Sequence, residues 1–257
     1  MVEHRPAVPR LVPPGLGPAH RLPGVVGQGP AVPPGGPGGC PGRPGPARAP
    51  RPPFPHVRNP LGQLNEDAVD LRRPRSGLEV LEEFRGATAR RLASLEAMGE
   101  QELAADSWTP VGPGTYRDLL AVRVFDAWVH EQDMRGATAR PGHLDGPVAS
   151  HSLQRCLAAM PWVVGKAAGA PEGSSVLFEV SGPTAARLAV VVKDGRARAV
   201  EDLDGAPMAR LEADFECFTR VCWGRWDLDR AVSSGRLVTG GDPQLAADVA
   251  RHLAFVP

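Results

Sequence analysis

Thr115-Tyr-Arg-Asp-Leu-Leu-Ala-Val-Arg-Val-Phe-Asp-Ala-Trp-Val-His-Glu-Gln-Asp-Met-Arg135 is the stretch on which the reading of this chain turns. Thr115 followed by Asp118 has the form of a helix N-cap, and Gly136 and Pro141-Gly142 mark the end. Most positions between suit a buried helix. Yet Arg123, Asp126, His130 and Asp133 stand at i, i+3, i+7 and i+10, so they share one face. Asp126 and His130 are one turn apart, a spacing that lets a carboxylate and an imidazole bind one metal from a single helix. Asp133 is placed to fix the tautomer of His130. The plainer reading is a solvated face with i,i+4 pairing, which a bare D-x-x-x-H on a helix more often is. Two ligands do not make a site, and the rest of the chain must supply a third.

Upstream, residues 57–114 also read as helical. Ser76 with Glu79 forms a capping box, and Leu78, Leu81, Phe84, Leu92, Leu95 and Met98 then fall near one face. Trp108-Thr-Pro-Val-Gly-Pro-Gly114 reads as a rigid turn. Downstream, a helix over 150–165 precedes strand-like runs at Ser175–Ser181, Arg187–Lys193 and Ala197–Leu203. Asp194-Gly195 is a hairpin signal. Helices follow around Asp214–Trp223 and Asp227–Ser234. An apolar run comes at Leu237–Thr239, and Asp242 caps a last helix. The order predicts an α+β fold in three parts: a Pro/Gly-rich disordered segment 1–55, a helical domain 56–147 and an α+β domain 148–257.

The 257 residues are enough for one large domain or two small ones, and formal charge balances to zero. That balance hides a division. Residues 1–56 hold 17 of 29 Pro and 11 of 30 Gly, with six Arg and one acid, Glu3. The remainder carries 23 basic and 28 acidic residues, and no basic patch there points to nucleic acid. No run of 18 apolar residues predicts a membrane span, and no apolar region opens the chain as a secretory signal does. The four cysteines, Cys40, Cys156, Cys217 and Cys222, are too scattered for a disulfide framework, so a cytoplasmic location is expected. Residues 1–55 have no helical or strand period. They read either as a proline-rich interaction tail or as GC-rich codons translated in a wrong frame or from a misplaced start. The 27 Arg against Lys166 and Lys193 speak for a GC-rich source.

Several separated motifs resemble one family. Val124-Phe-Asp-Ala-Trp-Val-His-Glu-Gln-Asp-Met-Arg135 looks like the W-V-H-E-Q-D-I-R signature of the mycothiol-dependent maleylpyruvate isomerase family. His56-Val-Arg-Asn-Pro-Leu-Gly62 and Trp108–Gly114 before it, and Arg140-Pro-Gly-His-Leu-Asp-Gly146, Val163-Val-Gly-Lys166 and Cys222-Trp-Gly-Arg225 after it, also resemble that family. The resemblance implies a DinB-like helical bundle, incomplete here, followed by a domain similar to sterol carrier protein. It implies a divalent metal, usually zinc, held by one His of an early helix and by a carboxylate and a His on a later one. The later pair falls on Asp126 and His130. It implies that Arg225 reaches the active site from the C-terminal domain and holds a carboxylate; residues alone would read Arg225 as a paired or stacked surface side chain. It implies mycothiol as the thiol cofactor and a small electrophilic substrate. In that reaction the thiolate adds to a double bond, allows rotation and is eliminated.

The family's first metal His sits in a W-x-x-x-D-V-V-x-H-L helix that residues 1–55 do not contain. His4 and His20 match no motif, and His56 stands where the family pattern resumes. As written, the chain is expected to bind metal weakly. An isomerase or thiol transferase therefore stands beside a catalytically inactive member that acts as a small-molecule binding or regulatory module. No motif fixes the oligomeric state. The remaining cysteines read as packing residues, and His143, His151 and His252 as exposed or cap-associated.

Overall fold

Ser76 and Glu79 begin the first long helix as the capping box requires. The Ser76 N–H donates to Glu79 Oε2 at 2.8 Å, and the Glu79 N–H donates back to Ser76 Oγ at 3.3 Å. The fold is that of a computed structural model describing residues 54–55, 57 and 60–256. The expectations for residues 1–53, including His4 and His20, and for His56 lie outside the described residues.

The chain divides into two units between Ala105 and Asp106. The described part of the unit ending at Ala105 is helical: α1 (Pro60–Asp70), α2 (Gly77–Glu96) and the short α3 (Glu100–Leu103). Ionic contacts fix the α1–α2 link. Arg72 grips Glu83 through Nε and Nη2 and donates to the Ala68 carbonyl, while Arg75 reaches the same Glu83 at 2.7 Å. No residue of α2 is buried, and Leu78, Phe84 and Leu92 are all more than half exposed.

The unit from Asp106 onward opens with β1 (Asp106–Thr109) and β2 (Gly112–Thr115). The expected rigid turn is thus the tip of an antiparallel hairpin, with Thr109 paired to Gly112. Thr109 Oγ1 donates to the Gly112 carbonyl and accepts from the Val111 N–H, closing the turn. Then come α4 (Tyr116–Ala137) and α5 (Gly146–Trp162). Pro161 lies inside α5 and has no N–H to give, and the chain loosens beyond it into a π turn, Val163–Ala167. Gly165 in that turn presses on Ala197. A Cβ there would stand 2.6 Å from that of Ala197, which no side chain tolerates.

The sheet follows: β3 (Ser175–Ser181), β4 (Ala186–Lys193), β5 (Arg196–Val200), β6 (Ala209–Asp214) and β7 (Leu237–Gly241). Its order is β5-β4-β3-β6-β7, antiparallel except for the central β3–β6 pair. Asp194 (φ 54°) and Gly195 (φ 68°) make the β4–β5 turn, and their N–H groups both donate to Glu172. β6 was not foreseen as a strand. Its Ala209, Leu211 and Ala213 point inward and its Arg210 and Glu212 outward, where Glu179 pairs with Arg210.

α6 (Phe215–Cys222), α7 (Leu228–Ser233) and α8 (Pro243–Arg251) complete the unit. Val176, Phe178, Val180, Leu188, Val190 and Leu211 of the sheet share one buried core with Leu153, Met160, Phe218 and Val249 of the helices. Cys156, Cys217 and Cys222 are buried free thiols within it, as expected of packing residues. Burial pushes the Cys217 thiol up to about 11, so it stays protonated. The architecture is α+β, with a helical part followed by a mixed sheet covered by helices. Among the described residues no helix is long and apolar enough to cross a membrane.

Candidate functional site

Helix α4 turns two chemically different faces to its surroundings. The inner one holds Phe125, Trp128, Val129 and Gln132, all buried. Trp128 packs edge-on against Trp223 at 5.0 Å and Phe215 at 5.6 Å. Its Nε1–H donates to the His143 carbonyl at 2.9 Å, and Gln132 Nε2 donates to the Gly142 and His143 carbonyls. Glu131 accepts from His143 Nδ1 at 2.9 Å and from Arg135 Nε at 2.8 Å. Burial pushes the Glu131 carboxyl up, but these two donors outweigh it and hold the group below its ordinary value. Four members of the signature thus clamp the loop after α4. That loop needs a clamp, because Ala139 (φ 52°) and His143 (φ 57°) both sit in the left-handed region.

The outer face carries Arg123, Asp126, His130 and Asp133. Arg123 Nη1 donates to Asp126 Oδ2 at 2.8 Å. The other oxygen, Oδ1, lies 3.5 Å from His130 Nε2. His130 Nδ1 faces Asp133 Oδ2 at 3.7 Å, too far for the hydrogen bond expected between them. Asp133 is instead engaged by Arg225, whose Nε donates to Oδ1 at 3.0 Å and whose Nη2 donates to Oδ2 at 2.9 Å. The Asp133 hydrogen bonds, more than offsetting partial burial, raise the Arg225 guanidinium above its ordinary value.

Arg225 is held there by its own neighbourhood. α6 ends at Cys222 and the chain turns through Gly224 at φ 66°, with the Arg225 N–H donating to the Arg220 carbonyl at 2.8 Å. Trp223, 1% exposed, anchors the turn, and its carbonyl accepts from Arg225 Nη1 at 3.3 Å. Asp126 and His130 therefore stand on one open face, with the His130 side chain 62% exposed, and Arg225 reaches that face through Asp133. Among the described residues no group of three or more His, Cys, Asp or Glu is arranged to hold a metal ion.

A cleft of about 180 Å³ opens on the other side of α4, between its last turns, the clamped loop and α6. Gln132, Arg135, Gly142, Glu216 and Arg220 line it. Its two arginines are matched by Glu131 and Glu216, so it presents no free charge. Sequence reasoning missed the clamp and the Arg225–Asp133 pair. The signal for the clamp was present: Trp128, Glu131, Gln132 and Arg135 share the helix face opposite the polar one. His151 also departs from expectation, since its Nε2 meets the Ala121 carbonyl at 2.8 Å and ties α5 to α4.

Residues 42–135 match the family model of the mycothiol maleylpyruvate isomerase N-terminal domain, and residues 165–254 match that of the SCP-2 sterol transfer family. The two matches, in that order, give the two-domain arrangement that the resemblance to the mycothiol-dependent maleylpyruvate isomerase family implies. The first match contains Asp126, His130 and Asp133, and the second contains Arg225. Asp133 of the first matched segment is held by Arg225 of the second.

Among solved structures the chain is similar to the UbiJ-SCP2 ubiquinone synthesis protein, at 17% identity and TM-score 0.32, over 43% of this chain and 97% of that one. It is similar to sterol carrier protein 2 like 2 from Aedes aegypti, at 15% identity and TM-score 0.31, over 38% and 93% of the two chains. A third likeness is to apo sterol carrier protein 2 from Yarrowia lipolytica, at 12% identity and TM-score 0.31, over 42% and 91%. No curated protein matches the chain.

Proposed function

We propose that this chain is a metal- and mycothiol-dependent isomerase or thiol transferase acting on a small electrophilic substrate, with Asp126 and His130 as metal ligands and Arg225 as the carboxylate receptor. The observation that carries the reading is the 3.5 Å separation of Asp126 Oδ1 and His130 Nε2. Two donors each about 2.0–2.1 Å from a tetrahedral zinc stand roughly 3.3 Å apart, so this pair matches two corners of such a site. Arg123 occupies only Oδ2 of Asp126 and leaves Oδ1 toward the imidazole.

A zinc ion bound there lowers the pKa of a thiol, so that thiolate is present at neutral pH. The chain's own part is to hold and orient. Asp126 and His130 would hold the ion from a helix whose inner face is buried. Arg225 carries a planar fork suited to a carboxylate, which Asp133 of the same helix face occupies. Zinc titration of the full chain tests the assignment. Zinc affinity, weak as it is expected to be, should fall by more than about 100-fold in His130→Ala and in Asp126→Ala, since even groups that only hydrogen-bond to a ligand contribute about 10- to 100-fold. Zinc affinity unchanged in both variants would remove the site from α4.

One observation favours a second reading, a binding or regulatory module without catalysis: the described residues supply two donors and not three. That reading expects no stoichiometric zinc in the purified chain and no thiol-dependent turnover. The same titration separates the two.

A further inference from the structure

We propose that α2 is the interface of a homodimer, in which two copies of the chain lay their α2 helices antiparallel and close a leucine seam.

Leu78, Leu81, Arg85, Thr88, Leu92 and Leu95 of α2 follow one another at alternating steps of three and four. That spacing keeps them on one face, the seam along which two helices supercoil. Leu78, Leu81 and Leu92 are 64%, 41% and 53% exposed, and no residue of α2 is buried among the described residues. Helices in proteins take most of their stability from packing an apolar face, so α2 lacks a partner. The contacts it does make leave the seam open. Arg72 and Arg75 grip Glu83, which stands on the opposite side of the helix.

The order of the six positions selects the occupant. It reads alike from either end: two leucines, two polar residues, two leucines. About a twofold axis between Gly86 and Ala87, Leu78 meets the partner's Leu95, Leu81 the partner's Leu92 and Arg85 the partner's Thr88. Every leucine is then matched. Between Glu79 and Arg91 the charges also suit this direction, because Glu79, Glu82 and Glu83 come first and Arg85, Arg90 and Arg91 last. Antiparallel copies bring Glu82 and Glu83 level with the partner's Arg91 and Arg90. Parallel copies would set Arg85 on the partner's Arg85. The chain's own residues 1–56, with 17 Pro and 11 Gly, have no apolar repeat of helical period to lay along the seam. A seam of roughly 25 Å is shorter than a standard interface needs, so the dimer is weak. In the dilute solutions of optical unfolding it dissociates and α2 stands uncovered.

Sedimentation equilibrium of the full chain over rising concentration tests this. Twice the chain mass is expected by about 300 µM, in the range of weak complexes. Leu81→Glu or Leu92→Glu takes two leucines at once from a symmetric contact and should weaken the dimer by more than about 100-fold. Both sites are exposed, and circular dichroism checks that the fold is kept. Leu64→Glu, at an equally exposed leucine of α1, should leave the dimer intact. A wild-type chain that stays monomeric overturns the proposal. So does a dimer that survives both α2 variants, or one that Leu64→Glu breaks equally. Direction is read in a Cys40→Ser background, where the remaining cysteines are buried. Mixed Leu78→Cys and Leu95→Cys chains should form a disulfide-linked pair on mild oxidation, and neither chain should do so alone. Self-linking by Leu78→Cys would mean parallel copies and overturns the antiparallel seam.

Discussion

Helices α2 and α4 begin alike and are used differently. Each opens on a capping box, Ser76 with Glu79 and Thr115 with Asp118, and in each the N-cap N–H donates to the carboxylate at 2.8 Å. They run to 20 and 22 residues. Yet α4 buries Tyr116, Phe125, Trp128, Val129 and Gln132, and α2 buries nothing. The caps set where a helix starts, at a gain of about 1 kcal/mol each. They do not decide what it packs against. That depends on a second apolar surface, which α5, α6 and the sheet supply for α4 within its own unit.

The contrast is sharpest when one large side chain is removed from each helix. Trp128→Ala deletes two edge-on aromatic contacts and the hydrogen bond to the His143 carbonyl, and leaves a cavity in the core. A loss of about 3–5 kcal/mol is expected in urea unfolding followed by circular dichroism. Leu78→Ala, at a side chain 64% exposed, should cost less than about 0.5 kcal/mol in the same measurement. Equal losses would mean that α2 has a packing partner as substantial as that of α4.

Acid probes the unit containing α4 at a point that α2 does not share. Burial pushes the Asp214 carboxyl up, but Arg236, which grips it through Nε and Nη2, and the Cys217 N–H together hold it below its ordinary value. A carboxyl depressed in the folded state stabilises fully above its unfolded pKa, and that stability is lost as pH falls through the lower folded value. Wild type should therefore melt above Asp214→Asn at neutral pH, and the gap should close below the ordinary carboxylate range. A gap that stays constant down to pH 2 would show that Asp214 acts only as the N-cap of α6.

Much of this was legible in the sequence because it is local. Both capping boxes, the Asp194-Gly195 turn and strand Ser175–Ser181 depend on residues a few positions apart, and they stand where the sequence puts them. Helical period likewise set Asp126, His130 and Asp133 on one face. What was missed depends on the partner. β6 is a strand because β3 and β7 flank it; its own Ala-Arg-Leu-Glu-Ala-Asp run has the alternation but few strong strand formers. The β1–β2 hairpin hid behind Pro110, Gly112, Pro113 and Gly114, residues that favour turns over ladders. Arg225 and Asp133 are 92 residues apart, and no spacing rule connects them. The resemblance to the family selected Arg225, but it did not indicate that Asp133 takes the fork.

Effects well below that of Trp128→Ala come from the caps themselves. Thr115→Ala and Ser76→Ala each remove a side-chain acceptor and leave one helix N–H to water, a local cost of about 1 kcal/mol. In α4 the first turn is continuous with Tyr116, which is buried, so the cost passes to the unit as a whole and should appear in its unfolding free energy. In α2 the first turn carries no buried residue, so the helix can fray there without disturbing anything else. Ser76→Ala should leave the urea transition unchanged and speed hydrogen exchange only at the first amides of α2. Thr115→Ala should lower the transition and leave those α2 amides as they were. If both substitutions shifted the transition equally, the two helices would belong to one cooperative unit, and the difference in burial between them would not be a difference in stability.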